Sequence, residues 1–124
     1  MEDRIKKILI IDDDSRNIFA LKAVLKAKKY TCLAASSAKE GFEIIKNDQE
    51  VAIVLMDMMM PDMDGYQAIA EMKSDSMLKN IPVIAVTAQA MVGDRERSLA
   101  AGASAYVSKP VNVDELIQKL NHYL

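Results

Sequence analysis

The feature that most constrains the fold is an apolar run that ends abruptly in a single carboxylate. Val-Ala-Ile-Val-Leu-Met covers residues 51–56, Asp57 follows, and Met-Met-Met-Pro-Asp-Met-Asp-Gly continues to Gly65. The run is short, several of its residues are β-branched, and a proline and an Asp-Gly pair follow it, which favours a buried strand over a helix. Asp57 is therefore expected at the carboxyl end of a core strand. A carboxylate there is costly unless a metal ion, a lysine or solvent compensates it.

Length, charge and cysteine content limit the class of protein. The chain has 124 residues, enough for one domain and too few for two ordinary ones, so we expect a single domain over residues 1–124 with no output domain. No stretch approaches the ~20 apolar residues of a membrane span, and the N-terminus lacks the apolar core of a signal peptide. Cys32 is the only cysteine, so a cytoplasmic protein without internal disulfides is the simplest interpretation.

The charge distribution gives no indication of nucleic-acid binding. The net charge is −2 and the pI is near 5.4, whereas nucleic-acid-binding domains are usually basic. One basic cluster occurs, formed by Lys22, Lys26, Lys28 and Lys29. Lysines spaced along a helix are more often its solvated face than a binding site.

Strand-like and helix-like segments alternate along the chain. Apolar runs predict strands at residues 5–11, 30–35, 51–57, 82–87 and 104–108. Capping residues and helical spacing predict helices that begin after Asp14 or Ser15, Ser37, Asp64 and Asn112. The remaining helix is less well specified because Gly93 lies at or near its start, so residues 89–94 are expected to be loosely held and Gly102 to follow its end.

Five strands alternating with five helices predict a flavodoxin-like α/β fold. This is a three-layer (βα)5 sandwich around a parallel five-stranded sheet of order 2-1-3-4-5. The winding direction reverses between strands 1 and 3, and ligands bind beyond the carboxyl ends of the strands at such a point. Strand 1 ends in Asp12-Asp13 and strand 3 ends in Asp57. Three carboxylates are therefore expected in one crevice.

The groups expected in this crevice suit phosphoryl transfer to a carboxylate. Three neighbouring carboxylates resist joint ionisation unless a counter-charge is present, and all-oxygen ligation favours Mg²⁺. Thr87 and Lys109, at the ends of strands 4 and 5, add a hydroxyl donor and a flexible ammonium. A metal ion, a cation, a hydroxyl and an aspartate nucleophile form such a site.

In order and position, these motifs resemble the receiver domain of two-component response regulators, and the resemblance covers essentially the whole chain. The matching segments are Asp12-Asp13 after Ile-Leu-Ile-Ile, Met-Asp57-Met-Met-Met-Pro-Asp-Met-Asp-Gly, Val-Thr87-Ala and Tyr106-Val-Ser-Lys109-Pro110. Two further segments are most similar to stand-alone receivers or receivers attached to hybrid histidine kinases: Arg16-Asn17-Ile-Phe-Ala-Leu and Ala90-Met-Val-Gly-Asp-Arg95.

The resemblance implies a role for each residue that would hold phosphate or metal. Asp57 would accept a phosphoryl group from the phosphohistidine of a histidine kinase or a histidine-phosphotransfer protein. Asp13, Asp57 and the backbone carbonyl of Met59 would bind Mg²⁺, for which Mn²⁺ can substitute, and Asp12 would act mostly through water. Lys109 would hold a phosphoryl oxygen. The peptide bond between Lys109 and Pro110 falls at a position that is often cis in the family.

The resemblance also implies how phosphorylation is reported and how long it lasts. Thr87 would close onto the phosphoryl group, and Tyr106 would turn inward behind it and reshape the surface of helix 4, strand 5 and helix 5. Met59 and Gln89 would tune access of water to the acyl phosphate. The chain would be a signalling domain that promotes only its own phosphorylation and dephosphorylation. It would be a monomer or a weak phosphorylation-dependent dimer, without membrane or direct nucleic-acid partners.

Two other functions compete with this interpretation. A phosphatase of the haloacid dehalogenase type also places an aspartate nucleophile after a strand, but it usually needs a second aspartate two residues later. Met59 occupies that position here and is unsuited to general acid–base catalysis. A degenerate receiver used only for docking is disfavoured because Asp12, Asp13, Asp57, Thr87 and Lys109 are all present. His122 is the only histidine, and its place near the C-terminus indicates that the donor histidine belongs to another protein.

Overall fold

Strands and helices alternate from one end of the chain to the other in the computed structural model, which describes residues 6–61, 64–88 and 93–124. The strands are β1 (Lys7–Ile11), β2 (Thr31–Ala35), β3 (Val51–Asp57), β4 (Val83–Thr87) and β5 (Ala105–Ser108). The helices are α1 (Ser15–Ala27), α2 (Ala38–Asn47), α3 (Gly65–Ser74), α4 (Asp94–Ala101) and α5 (Val113–Tyr123). The predicted elements are all confirmed, with ends that differ by one or two residues. Residues 89–92 lie outside the described residues, so the predicted looseness of that segment stays a prediction.

The five strands form one parallel sheet in the order β2-β1-β3-β4-β5, as predicted. Ile11 of β1 pairs with Met56 of β3, and Asp57 pairs with Val86 of β4. Thr87 pairs in turn with Ser108 of β5. This register brings the carboxyl ends of β1, β3, β4 and β5 to the same edge of the sheet.

Apolar layers cover both faces of the sheet and explain why the strands have no polar alternation. On one face Leu9 and Ile11 pack with residues of α2 and α3, including Phe42, Ile69 and Met72. On the other face, the alternate strand residues pack against α1 and α5. The strand residues are Ile8, Ile10, Ile53 and Leu55, and the helix residues are Leu25, Leu116 and Leu120. Full burial of such side chains contributes about 1.5–3 kcal/mol each. The central strands are thus fixed from both sides.

Met56 of β3 and two methionines of the following loop, Met58 and Met60, are part of the core. Met56 and Met72 are fully buried, and Met58 and Met60 are nearly so. Met56, Met60 and Met72 therefore pack the core, and Met63 lies outside the described residues. Flexible, unbranched methionine side chains fill irregular space well, which suits a loop that must lie flat against the sheet edge.

Side-chain caps begin four of the helices where the sequence predicts them, and at α3 Asp64 Oδ1 accepts from the backbone N–H of Tyr66 (2.9 Å). Asp14 Oδ1 accepts from the backbone N–H of Arg16 (2.9 Å), and Asn112 Oδ1 accepts from that of Glu115 (2.9 Å). Ser37 Oγ accepts from the N–H of Glu40 (3.1 Å), but the Glu40 carboxylate accepts from the N–H of Ser36 (2.6 Å). In the standard capping box the Glu40 carboxylate would accept from the N–H of the N-cap residue Ser37. Here it accepts from the residue before the N-cap.

Polar contacts hold the first turn of α4 against α3. Gly93, with a φ of 92°, precedes the helix, and Asp94 is buried at its first position. The Tyr66 hydroxyl of α3 donates to Asp94 Oδ1 (3.1 Å), and the Arg97 guanidinium carbon lies 3.9 Å from the centre of the Tyr66 ring. Burial raises the pKa of the Tyr66 hydroxyl, so it stays a proton donor at neutral pH. This anchor matters because a buried carboxylate must be hydrogen-bonded to be tolerated.

Removing the Tyr66 hydroxyl tests this anchor. Tyr66→Phe keeps the ring beneath Arg97 but deletes one donor to a buried carboxylate, and we expect a loss of about 1–3 kcal/mol in the free energy of unfolding. Tyr30→Phe is the matched control, because the Tyr30 hydroxyl donates to Asn121 Oδ1 in a more exposed place. Urea unfolding measures both. Equal losses for the two variants would contradict the anchor.

Candidate functional site

The carboxyl edge of the sheet gathers the predicted site residues into one place. Asp12 and Asp13 follow β1, Asp57 ends β3, Thr87 ends β4, and Lys109 follows β5. Asp12 and Asp57 are buried and Asp13 is exposed. One carboxylate oxygen from each of these aspartates lies within 4.8 Å of the others. The predicted convergence of three acids on one crevice is therefore found.

Backbone hydrogen bonds fix Asp12 at the end of β1. Its N–H donates to the carbonyl of Ala35 at the end of β2 (3.1 Å). Its Oδ1 accepts from the N–H of Asp14 (2.8 Å), the capping residue of α1. Asp12 thus has a defined orientation, while the neighbouring Asp13 carboxylate remains open to solvent.

The loop after β3 holds the Asp57 side chain in place. The N–H of Met58 donates to the carbonyl of Val86 (3.0 Å), which prolongs the β3–β4 pairing beyond Asp57. The N–H of Met59 donates to Asp57 Oδ1 (3.1 Å), whereas the Met59 side chain is about half exposed. The loop also needs Gly65, because a Cβ there would lie 2.5 Å from the Met58 Cα.

Lys109 is the basic group of the crevice. Its N–H donates to the carbonyl of Thr87 (2.7 Å), and the Lys109–Pro110 peptide bond is cis. Its Nζ lies 3.6 Å from Asp12 Oδ2 and 3.8 Å from Asp57 Oδ1. These distances are at the limit of an ion pair, so the ammonium lies between the two buried acids and close to both.

Charge in the crevice is only partly balanced. Burial raises the pKa of Asp57, and the nearby Asp12 carboxylate raises it further. The N–H of Met59 and the charge of Lys109 act in the opposite direction, but they are smaller effects than burial. Three carboxylates around one ammonium leave an excess of negative charge. Hard oxygen donors with one solvent-open side fit Mg²⁺, which keeps several waters and takes one or two carboxylates.

Thr87 and Tyr106 occupy neighbouring strands on the side of the site that faces α4. Thr87 is buried at the end of β4, and Tyr106 of β5 is half-buried beside the apolar layer formed by α2 and α3. Burial raises the pKa of the Tyr106 hydroxyl, as does the negative charge of Asp94. Tyr106 therefore lies in the same environment as the Tyr66–Asp94 contact that anchors α4.

Sequence reasoning missed Tyr66 and Asp94 as parts of this region. The Gly-Asp pair at residues 93–94 is a local signal for a helix start. No local signal could identify Tyr66, because its hydrogen-bond partner is 28 residues away. Gln89 lies outside the described residues, and the His122 side chain is exposed.

A groove between α1 and α5 opens beside Lys109. It encloses about 310 Å³ and is lined by Asn17, Ala20, Leu21, Val24, Lys109, Pro110, Val111, Val113 and Leu116. Its lining is mostly apolar, and it includes Lys109, whose Nζ lies in the acidic crevice. In the part of the chain that the structure describes, no helix is long and apolar enough to cross a membrane.

Comparison with known proteins gives the same assignment from sequence and from structure. The response regulator receiver domain family matches residues 8–121. The polar-differentiation response regulator DivK of Brucella ovis is 34% identical over 119 residues, covering 96% of each chain.

Two solved structures share both fold and sequence with the chain. A CheY-like response regulator receiver domain protein from Methanospirillum hungatei is 33% identical, with a TM-score of 0.84 over 95% of this chain and 92% of that one. The receiver domain of the sensor histidine kinase PA1611 from Pseudomonas aeruginosa is 30% identical, with a TM-score of 0.84 over 95% of this chain and 96% of that one. That receiver was solved with a magnesium ion coordinated in its active-site cleft. The chain belongs to the response regulator receiver domain family and is a phospho-acceptor receiver of two-component signalling.

Proposed function

We propose that Asp57 is the residue that accepts the phosphoryl group, donated by the phosphohistidine of a histidine kinase or a histidine-phosphotransfer protein. One observation carries this proposal. Asp57 is a buried carboxylate at the sheet edge, 3.8 Å from the Lys109 ammonium and beside the carboxylates of Asp12 and Asp13. Asp13 is too exposed, and Asp12 follows β1, whereas Asp57 ends the central strand β3, which lies between β1 and the strand that ends in Thr87.

The chemistry assigns a task to each group. An Asp57 carboxylate oxygen attacks phosphorus, and the bond from phosphorus to the donor histidine nitrogen breaks with its electron pair left on the imidazole. The N–H of Met59 holds Asp57 Oδ1, which leaves the other oxygen to react. Lys109 neutralises charge on a phosphoryl oxygen as a point charge. Mg²⁺ held by Asp13, Asp57 and the Met59 carbonyl, or Mn²⁺ in its place, would shield negative charge between carboxylate and phosphoryl oxygens.

Phosphorylation would be reported by the side of the molecule that carries Thr87 and Tyr106. Thr87 follows Val86, the β4 residue that pairs with Asp57, and its hydroxyl would bond a phosphoryl oxygen. Movement of Thr87 would alter the space in which Tyr106 is half-buried, and with it the surface of α4, β5 and α5. The phosphoryl group shifts the balance between two conformations of the protein only if it makes different contacts in each of them.

The groove between α1 and α5 is our proposed docking place for the phosphodonor. It reaches Lys109 and therefore lies beside Asp57. Its apolar lining suits the side of a partner helix. The chain would act as a cytoplasmic monomer or as a weak dimer after phosphorylation, and residues 1–124 would function as one receiver domain.

We prefer this function to that of a phosphatase because the position two residues after Asp57 carries a thioether. The Met59 side chain is about half exposed at the site but has no acidic proton. The receiver would promote its own phosphorylation and dephosphorylation without turning over other substrates.

Intact-mass measurement tests the phospho-acceptor directly. Incubation with a small phosphodonor and Mg²⁺ should add one phosphoryl mass to the wild type, and Asp57→Asn should gain none. Glu71→Gln, which also removes one negative charge, lies on the exposed side of α3 and should be labelled like the wild type. Equal labelling of wild type and Asp57→Asn would refute the assignment of Asp57, and an unlabelled wild type would refute the proposed function.

Asp57→Asn should also stabilise the metal-free protein. The pKa of Asp57 is raised in the folded state, so its ionisation opposes folding once the pH exceeds the unfolded value. The variant should therefore gain about 0.5–2 kcal/mol near neutral pH. The gain should shrink as the pH falls and Asp57 becomes protonated.

Thermal unfolding in a chelator at several pH values measures this gain, and Glu71→Gln again serves as the charge-matched control. An Asp57→Asn protein that is no more stable than the wild type at neutral pH would contradict repulsion among the three acids.

The Met59 side chain should make the acyl phosphate long-lived. A thioether offers no strong hydrogen bond to orient an attacking water molecule. Met59→Asn should thus accelerate the loss of phosphate severalfold at fixed Mg²⁺, as followed by the decay of the phosphorylated mass. Met77→Asn is a control, because Met77 is similarly exposed but lies beyond α3. An unchanged decay rate in Met59→Asn would show that this position does not limit access of water.

A further inference from the structure

The side of α1 opposite the docking groove forms a second cleft. Residues 19, 22, 23 and 26 share one face of a helix with 3.6 residues per turn, whereas Asn17 and Leu21 line the groove on another face. Together with the loop that leads into β2, this face encloses about 760 Å³. The lining residues are Phe19, Lys22, Ala23, Lys26, Lys29, Tyr30, Thr31 and Cys32.

The charge around this cleft is unusual for the chain. Residues 16–30 contain one arginine and four lysines but no acidic residue, although the whole chain has a net charge of −2. Among the described ion pairs, none includes Lys22, Lys26 or Lys29. Burial raises the pKa of the Cys32 thiol, and the nearby positive charge of Lys22 opposes that rise. The ammonium groups therefore have no described counter-charge within the molecule.

A large apolar side chain lies among these lysines. Phe19 is 76% exposed, the highest value among the exposed large hydrophobic residues that the structure describes. An exposed aromatic residue is ordinary on its own. Here it is one turn of helix from Lys22 and lines the same cleft. A ligand that covered Phe19 would therefore need an apolar part as well as negative charge.

Lys29 is held in a backbone conformation that favours glycine. Its φ is 72°, and among the described residues it is the only non-glycine residue with a positive φ. It follows the C-cap of α1 in a Schellman motif, in which its N–H donates to the carbonyl of Lys26 (2.9 Å) and that of Tyr30 donates to Leu25 (3.0 Å). Glycine is the usual residue there. A lysine costs stability at this position, and strain of this kind is concentrated at functional sites.

We propose that this cleft binds an acidic segment of a partner protein. Carboxylates of the segment would pair with Lys22, Lys26 and Lys29, and an apolar side chain would cover Phe19. The cleft also adjoins β2, an edge strand that among the described residues pairs only with β1 and has no strand on its outer edge. A polypeptide can use the main-chain groups of an edge strand, whereas a nucleic acid or a lipid surface has no matching backbone. This surface is separate from the phosphodonor groove.

Titration of the ¹⁵N-labelled protein with a synthetic peptide of four Glu-Glu-Leu repeats tests the proposal. Amide shifts should saturate at Phe19, Lys22, Lys26, Lys29 and Cys32, and affinity should fall as salt increases. The double variant Lys22→Gln/Lys26→Gln should bind at least about tenfold more weakly, which corresponds to 1.4 kcal/mol. Its phosphorylation by a small phosphodonor should match that of the wild type.

Two single variants distinguish a lysine that binds the peptide from a lysine that is only exposed to solvent. Lys29→Gly should raise Tm by about 2–8 °C through relief of the backbone strain, and it should weaken peptide binding severalfold. Lys28→Gln removes the same charge from an exposed neighbour that does not line the cleft. It should bind the peptide nearly as well as the wild type.

Three results would overturn the proposal. The first is an absence of saturable shifts, or shifts centred on the groove between α1 and α5. The second is an equal loss of affinity in Lys28→Gln and Lys29→Gly, which would indicate a diffuse charge effect. The third is tighter binding at the same residues by an oligonucleotide of equal charge or by phosphatidylglycerol vesicles, which would replace the acidic polypeptide with another class of ligand.

Discussion

The structure depends on one electrostatic constraint: Asp57 is a buried carboxylate next to two other acids, and among the described residues only the Lys109 ammonium pairs with it. Lys109 Nζ lies 3.8 Å from Asp57 and 3.6 Å from Asp12, so one positive charge is shared between two buried negative ones. The remaining imbalance makes the site receptive to a divalent cation and to the further charge of a phosphoryl group. The same imbalance opposes folding in the absence of metal. Function and local instability therefore have a common physical origin.

The fold maintains this arrangement because its apolar layers fix the strands that carry the charges. β1 and β3 are buried on both faces, so neither strand can slide or rotate without exposing a row of large side chains. The polar side chains follow directly where each strand leaves the core. The α4 side is held differently, by the hydrogen bond from Tyr66 to the buried Asp94. This polar anchor lies on the side that is proposed to move.

Most of the fold and the centre of the site could be predicted from sequence because both are set by local patterns. Apolar runs that stop at Asp12, Asp57 and Thr87 define the strands and place the polar groups at one edge. The Tyr66–Asp94 contact and the cleft beside Lys29 were not predicted. The first joins residues 28 positions apart. The second depends on a positive φ at a lysine, where sequence rules favour glycine.

The pKa of the Asp57 carboxyl tests the central claim most directly. It can be followed by carboxyl ¹³C shifts during a pH titration, first in chelator and then with Mg²⁺, with Asp57→Asn to assign the signal. Uncompensated charge predicts a pKa above the ordinary aspartate value without metal and a marked fall when Mg²⁺ is added. A carboxyl that titrates at or below the ordinary value in chelator, and does not respond to Mg²⁺, would contradict the account.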